Sequence, residues 1–179
     1  PKTGLNYETP AAIHDGQLLF EKFDLPRDRP ILNSLQSTFK YLPRNDWTYA
    51  EIAKRHPDAF IVLVGHMGSN GLCDRLYERM RPHFEHRNLV IEEQLRILPR
   101  LDYGDFMGLF AISHHTIDTI DWNGGNSSMQ SFSLDCPVVT LPTAFMRGRH
   151  TVAMLELLEL PELIAKDSED YLAISSRLL

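Results

Sequence analysis

Short apolar runs and helix-spaced apolar positions alternate along this chain, and the alternation predicts most of its architecture. Phe60-Ile61-Val62-Leu63-Val64 is continuously apolar, as expected of a strand covered on both faces. Residues 30–35, 95–98, 116–121 and 137–141 predict four further strands, with 95–98 halted by Pro99. Leu72, Leu76 and Met80 recur every four residues and predict a helix, and Phe106, Leu109 and Phe110 share one helical face within 102–113. Residues 47–55 predict another helix, entered through Asn45-Asp46, either of which can cap it. Further helices are expected at 127–134, 146–158 and 167–179, the last with Ser168 ahead of Tyr171 and acids in its first turn. Residues 1–29 mix Pro, Gly, Asp and Arg around one apolar patch, 17–20, and read as an irregular lead-in.

Strands alternating with helices imply an α/β fold, a Rossmann-like parallel sheet with helices on both faces, formed by residues 30–179 as one domain. In such folds ligands bind in the crevice at the carboxyl ends of the strands. That rule selects four loops: 36–45, 65–71, 99–103 and 122–128.

Composition narrows the function classes. A hydrophobic fraction of 43% and a charged fraction of 23% over 179 residues are those of a globular chain with a sizeable core. The formal net charge of −6 argues against general nucleic-acid binding, although Arg147-Gly148-Arg149-His150 suits a small anion. No apolar run is long enough for a bilayer and no signal-peptide pattern opens the chain, so no membrane partner and a cytoplasmic location are expected. The chain starts at Pro1 rather than methionine, which suggests a piece of a longer protein. Cys73 and Cys136 match no zinc spacing, and the 8 histidines show no metal pattern; His66, on a selected loop, reads as a turn histidine. Neither a metal nor a cofactor is expected. There is no Gly-x-Ser-x-Gly elbow and no His-Glu-x-x-His motif.

The chemistry sits in the selected loops. Trp122-Asn123-Gly124-Gly125-Asn126-Ser127-Ser128 joins a strand to a helix. Its glycines admit a close ligand, and its hydroxyls and bare N–H groups lie where the helix dipole points outward. Such a turn takes an anion, or equally serves as a capped junction with no ligand. It is neither a dinucleotide fingerprint nor a Walker loop. Lys40, in Gln36-Ser37-Thr38-Phe39-Lys40, lies just past a strand, where an ammonium can neutralise a departing diphosphate; a solvated surface lysine is the alternative. Arg100 and Leu101 follow Pro99, where main chain can pair with a base edge. Glu92-Glu93, Glu156 and Glu159 read as solvated helix faces. Nothing resembles a nucleophile paired with a base.

Taken in order, several motifs resemble one family. They are Gln36-Ser37-Thr38-Phe39-Lys40, Leu98-Pro99-Arg100-Leu101 with Asp105-Phe106, and Asp118-Thr119 leading to Gly124-Gly125-Asn126-Ser127-Ser128. Pro137-Val138-Val139-Thr140-Leu141-Pro142, Met146-Arg147-Gly148-Arg149 and the tail from Glu162 to Tyr171 complete the set. Residues 30–179 are similar to the C-terminal half of the O-linked N-acetylglucosamine transferase and SPINDLY family, whose bacterial members often carry tetratricopeptide repeats upstream.

The resemblance implies the donor half of an inverting, metal-independent GT-B glycosyltransferase. That enzyme would transfer N-acetylglucosamine from UDP-GlcNAc to protein Ser or Thr. By that resemblance Lys40 meets the donor diphosphate and aids the leaving group, with Gln36 just upstream. Arg100 and Leu101 meet the uracil, Gly124, Gly125, Asn126, Ser127 and Ser128 form the diphosphate loop, and Gln130 lies at the ribose. The chain departs from the family at Gln130, which stands where an acid is usual. Tyr103 and Phe106 replace a lysine and a histidine of the animal enzymes, and Gly-Gly-Asn-Ser replaces Gly-His-Thr-Thr. The acceptor protein would be held by the other half and the repeats, so this chain alone is expected to be inactive. GDP-fucose or UDP-glucose as donor, or a non-catalytic partner-binding module, are the rival readings.

Overall fold

The structure, a computed structural model, describes residues 15–65 and 70–179. Five strands, β1 (Ile31–Ser34), β2 (Phe60–Val64), β3 (Leu95–Leu98), β4 (His115–Ile117) and β5 (Val138–Val139), form one sheet in the order β3-β2-β1-β4-β5. All neighbours are parallel, and the register sets Leu32 of β1 between Ile61 and His115. The helices are α1 (Gly16–Lys22), α2 (Trp47–Arg55), α3 (Asn70–Glu85), α4 (Ile91–Gln94), α5 (Tyr103–Ile112), α6 (Asn126–Phe132), α7 (His150–Leu157) and α8 (Ser168–Arg177). The expected α/β class with helices on both faces is therefore present.

The period of two along each strand divides the core. Ile61 and Leu63 join Ile52, Met80, Phe84 and Leu172 on the face covered by α2, α3 and α8. Phe60, Val62 and Val64 join Leu19, Met107, Leu109 and Phe110 on the face covered by α1 and α5. Every residue of β2 is buried, which is why its sequence is apolar without alternation. Each such side chain contributes roughly 1.5–3 kcal/mol relative to exposure.

Several expectations need correction. Residues 16–22, read as irregular, form α1, capped by Asp15, whose carboxylate accepts from the Gln17 N–H at 2.9 Å. Gly16 allows α1 to approach α5, since an added Cβ would lie 2.3 Å from Ile112 Cγ2. Lys22 then pairs with the buried Asp105. Neither Asn45 nor Asp46 caps α2 with its side chain: Asp46 accepts two hydrogen bonds from Arg79 at 2.6 and 2.9 Å, and Asn45 donates to the Ile120 carbonyl at 3.1 Å. The cap of α8 is Asp167, one residue before Ser168, accepting from the Asp170 N–H at 2.9 Å. The single helix expected over 146–158 is a 3-10 turn, Met146–Gly148, followed by α7. The last two strands are shorter than expected. β4 stops at Ile117, although the Asp118 N–H still donates to the Val139 carbonyl at 3.1 Å, and beyond β5 Thr140 bridges in parallel to Ile164.

Candidate functional site

From β1 the chain proceeds to β2 on one side, while β4 lies on the other, so a crevice opens between the loops that leave β1 and β4. A cavity of about 570 Å³ occupies it. Leu35, Gln36, Ser37 and Lys40 line it from the loop after β1, Val64 and Gly65 from the end of β2, and Arg100 and Leu101 from the loop after β3. Phe106 of α5 and Gly125, Asn126 and Ser127 at the start of α6 complete the wall.

The Tyr41 hydroxyl, which donates to the Ser34 carbonyl and accepts from the Gln36 N–H at 3.2 Å, folds the loop after β1 back on its strand. A 3-10 turn, Thr38–Lys40, then returns Lys40 toward the crevice. Its ammonium donates to Gln36 Oε1 at 2.8 Å and to the Asn123 carbonyl at 3.1 Å. Gln36 Nε2 donates in turn to Ser127 Oγ at 2.6 Å, linking the two loops across the crevice. Burial pulls the Lys40 ammonium below its ordinary value, and the negative charge of Asp118 opposes that pull. The result is a cation held by neutral oxygens at a cavity wall.

Behind the glycine turn sits Asp118, wholly buried. One carboxylate oxygen accepts from the Gly124 N–H at 2.7 Å and the other from Thr140 Oγ1 at 2.8 Å. Its carbonyl accepts from the Tyr171 hydroxyl of α8 at 2.6 Å. Burial pushes the Asp118 carboxyl up, while hydrogen bonds from Thr151, Gly124 and Thr140 and the charge of Lys40 pull it down. Gly124 is required here, because a Cβ would lie 2.2 Å from Ser128 Oγ and 2.9 Å from Gln36 Nε2. Gly125 and the first residues of α6 keep N–H groups without intrahelical acceptors on the cavity side.

Of the residues expected from sequence, Gln36, Lys40, Arg100, Leu101, Gly125, Asn126 and Ser127 are brought together on the cavity wall. Gly124 and Ser128 lie beneath it, with Ser128 Oγ 2.9 Å from Thr151 Oγ1. Gln130, further along α6, is half-buried and lies off the cavity wall. His66 lies outside the described residues. Phe106 and Asp118 stand within the family motifs, but sequence reasoning did not count Phe106 among the site residues or Asp118 as the anchor of the turn. An acid ending an apolar strand six residues before a glycine was the available signal. Among the described residues no group of His, Cys, Asp and Glu is placed to hold a metal ion. Among them, too, no helix is long and apolar enough to cross a membrane.

The sequence matches no protein-family model and no curated protein. Solved structures are similar to it in fold. A mutant O-GlcNAc transferase from Thermobaculum terrenum aligns with a TM-score of 0.78 at 21% identity, over 98% of this chain and 31% of that one. UDP-GlcNAc 2-epimerase from Neisseria meningitidis, bound to UDP-GlcNAc, aligns at 0.62 and 14% identity over 90% of this chain and 39% of that one. A trehalose-6-phosphate protein from E. coli, bound with UDP-2-fluoro glucose, aligns at 0.58 and 18% over 93% and 40%. The chain thus spans 31–40% of the length of these three proteins. The shared fold is the Rossmann-like domain of GT-B glycosyltransferases. One of these proteins is an epimerase, so the fold by itself does not select the reaction.

Proposed function

We propose that this chain is the donor-binding domain of an inverting glycosyltransferase that takes a uridine diphosphate sugar, UDP-GlcNAc in the first instance, and serves transfer to protein Ser or Thr. The observation that carries the reading is the Lys40 ammonium, held at the cavity wall by two neutral oxygens with the N-terminus of α6 facing it across the crevice. The base would lie against Leu101, Val64 and Phe106 near Arg100, and the diphosphate between Lys40 and the N–H groups of Gly125 to Ser127. As the bond between sugar C1 and the β-phosphate oxygen breaks, negative charge grows on that oxygen. A fixed ammonium beside it stabilises the transition state more than the bound donor. The acceptor hydroxyl forms the new bond to C1 from the opposite face, which inverts it. Its proton would go to a base supplied from outside this chain.

The acceptor protein would be engaged outside this chain, and the chain alone would turn over little or no donor. UDP-glucose is the second reading of the same cavity, favoured by the likeness to a protein bound with UDP-2-fluoro glucose. Calorimetry of the chain with UDP, GDP and ADP tests the proposal: UDP binds with the greatest affinity, and no heat from any of them at millimolar concentration overturns it.

A further inference from the structure

The loops that leave the sheet follow the strand order, so residues can be placed along its upper edge. Arg100 and Leu101 stand over β3, Gly65 over β2, Lys40 over β1 and Gly125 over β4. Beyond Lys40 lies an aromatic cluster that forms no part of the cavity wall and runs from Phe39, which also borders Leu72 and Arg75 of α3, to Trp122 and Phe145 in the loops after β4 and β5. Phe39 meets Trp122 edge to face, with ring centroids 5.1 Å apart. The Arg147 guanidinium stands 5.4 Å from the Trp122 ring and 5.2 Å from that of Phe145. Phe39 is 57% exposed and Phe145 65% exposed, which is costly for aromatic rings in a protein with ample core.

The cluster is tied to the cavity through Lys40 itself. Phe39 immediately precedes Lys40, and Trp122 immediately precedes Asn123, whose carbonyl accepts from the Lys40 ammonium. Arg147 holds the Trp122 loop from both sides: its carbonyl accepts from the Asn123 N–H at 2.7 Å, and its Nε donates to the Asp121 carbonyl at 3.2 Å. The aromatic pair is therefore a braced surface adjoining the cation, not a loose loop tip.

We propose that Phe39 and Trp122 form the wall on which the hexose of the donor lies, and so help select the sugar. The inference rests on the donor-binding reading. With the base over β3 and the diphosphate at Lys40, the sugar continues from the terminal phosphate toward β4, where Trp122 stands with Phe39 5.1 Å away beside Lys40. A pyranose presents axial C–H groups on one face, and an aromatic wall favours a hexose whose apolar face is uninterrupted by axial hydroxyls.

Calorimetry on the full chain with UDP, UDP-glucose and UDP-GlcNAc tests this, comparing the wild type with Phe39→Ala and Trp122→Ala. Either substitution weakens a UDP-hexose about three- to tenfold and changes UDP less than twofold. Equal losses for UDP and UDP-hexose, or none for either, overturn the wall while leaving the donor-binding reading intact. A wild type that binds none of the three overturns that reading and the wall with it. Should Trp122→Ala fail to fold, Trp47→Phe leaves Trp122 as the one tryptophan of the two in the chain. Its emission shifts with UDP-hexose and not with UDP; the same response to both overturns the inference.

Discussion

The two ends of this sheet carry similar materials and use them differently. At the lower end, Asp24, Leu25, Arg29, Phe60, Glu93 and Arg96 surround a cavity of about 430 Å³, comparable to the upper one. Both its arginines stack on Phe60, at 5.2 and 5.7 Å. Yet Arg29 donates to the carbonyls of Pro57, Asp58, Ala59 and Glu93, and Arg96 to those of Phe23 and Asp24. These cations are spent on the chain's own main chain. Lys40, at the upper end, holds two neutral oxygens and faces open volume. A concave surface with cations becomes a candidate site only where a cation borders open volume with few partners to exchange, and here that distinguishes one end from the other.

If the lower end is purely structural, changes there should move stability and leave nucleotide affinity alone. The largest effect is expected at His115, which opens β4 at that end. It is fully buried, with Nε2 2.7 Å from Ser175 Oγ, and burial lowers its pKa from 6.5 to about 3. Above pH 6.5 the imidazole is neutral in both folded and unfolded chains. Below it, only the unfolded chain takes up the proton, so stability falls by up to about 1.4 kcal/mol per pH unit until about pH 3. Urea midpoints at pH 7 and pH 5 should show this slope in the wild type and its loss in His115→Gln; equal slopes would remove the assignment. Arg29→Ala comes next, costing about 2 kcal/mol of stability by the same measurement through its orphaned carbonyls, with UDP affinity unchanged.

The smallest effect belongs to the upper end and has the opposite signature. Lys40→Ala should weaken UDP about tenfold, about 1.4 kcal/mol, while uridine affinity stays within error. Equal losses for UDP and uridine would strip Lys40 of its diphosphate role. In the wild type, UDP affinity should fall as pH rises, starting below the ordinary lysine value of 10.5 because burial weakens the ammonium.

Elements whose signal is local were legible in the sequence. Phe60–Val64 and Trp47–Arg55 form as expected because an unbroken apolar run and a helical face need only their own residues. The loops 36–45, 99–103 and 122–128 were legible as well, since the carboxyl ends of parallel strands share one edge, while 66–69 lie outside the described residues. What escaped depended on distant partners. The helix Gly16–Lys22 has one fully buried residue, Leu19, and is held by Ile112 and Asp105, about ninety residues away. Asp46 and Asn45 looked like caps because local rules say so, but Arg79 and Ile120 supplied other partners. The role of Asp118, which the sequence shows only as part of a motif, was hidden for the same reason: it depends on Thr140, Gly124 and Tyr171 folding around it.

The link from Lys40 through Gln36 to Ser127 has one more consequence. Lys40 and Gln36 already donate within this wall, so an arriving ligand must exchange those partners even as it meets the N–H groups at the start of α6. An anion with a single accepting atom, such as chloride, breaks as many bonds as it makes. A diphosphate offers several oxygens at fixed spacing and can take over both ends of the chain at once. Under the donor-binding reading, the pre-engaged triad would favour polydentate anions, discriminating by the count and spacing of acceptors before any base or sugar is read.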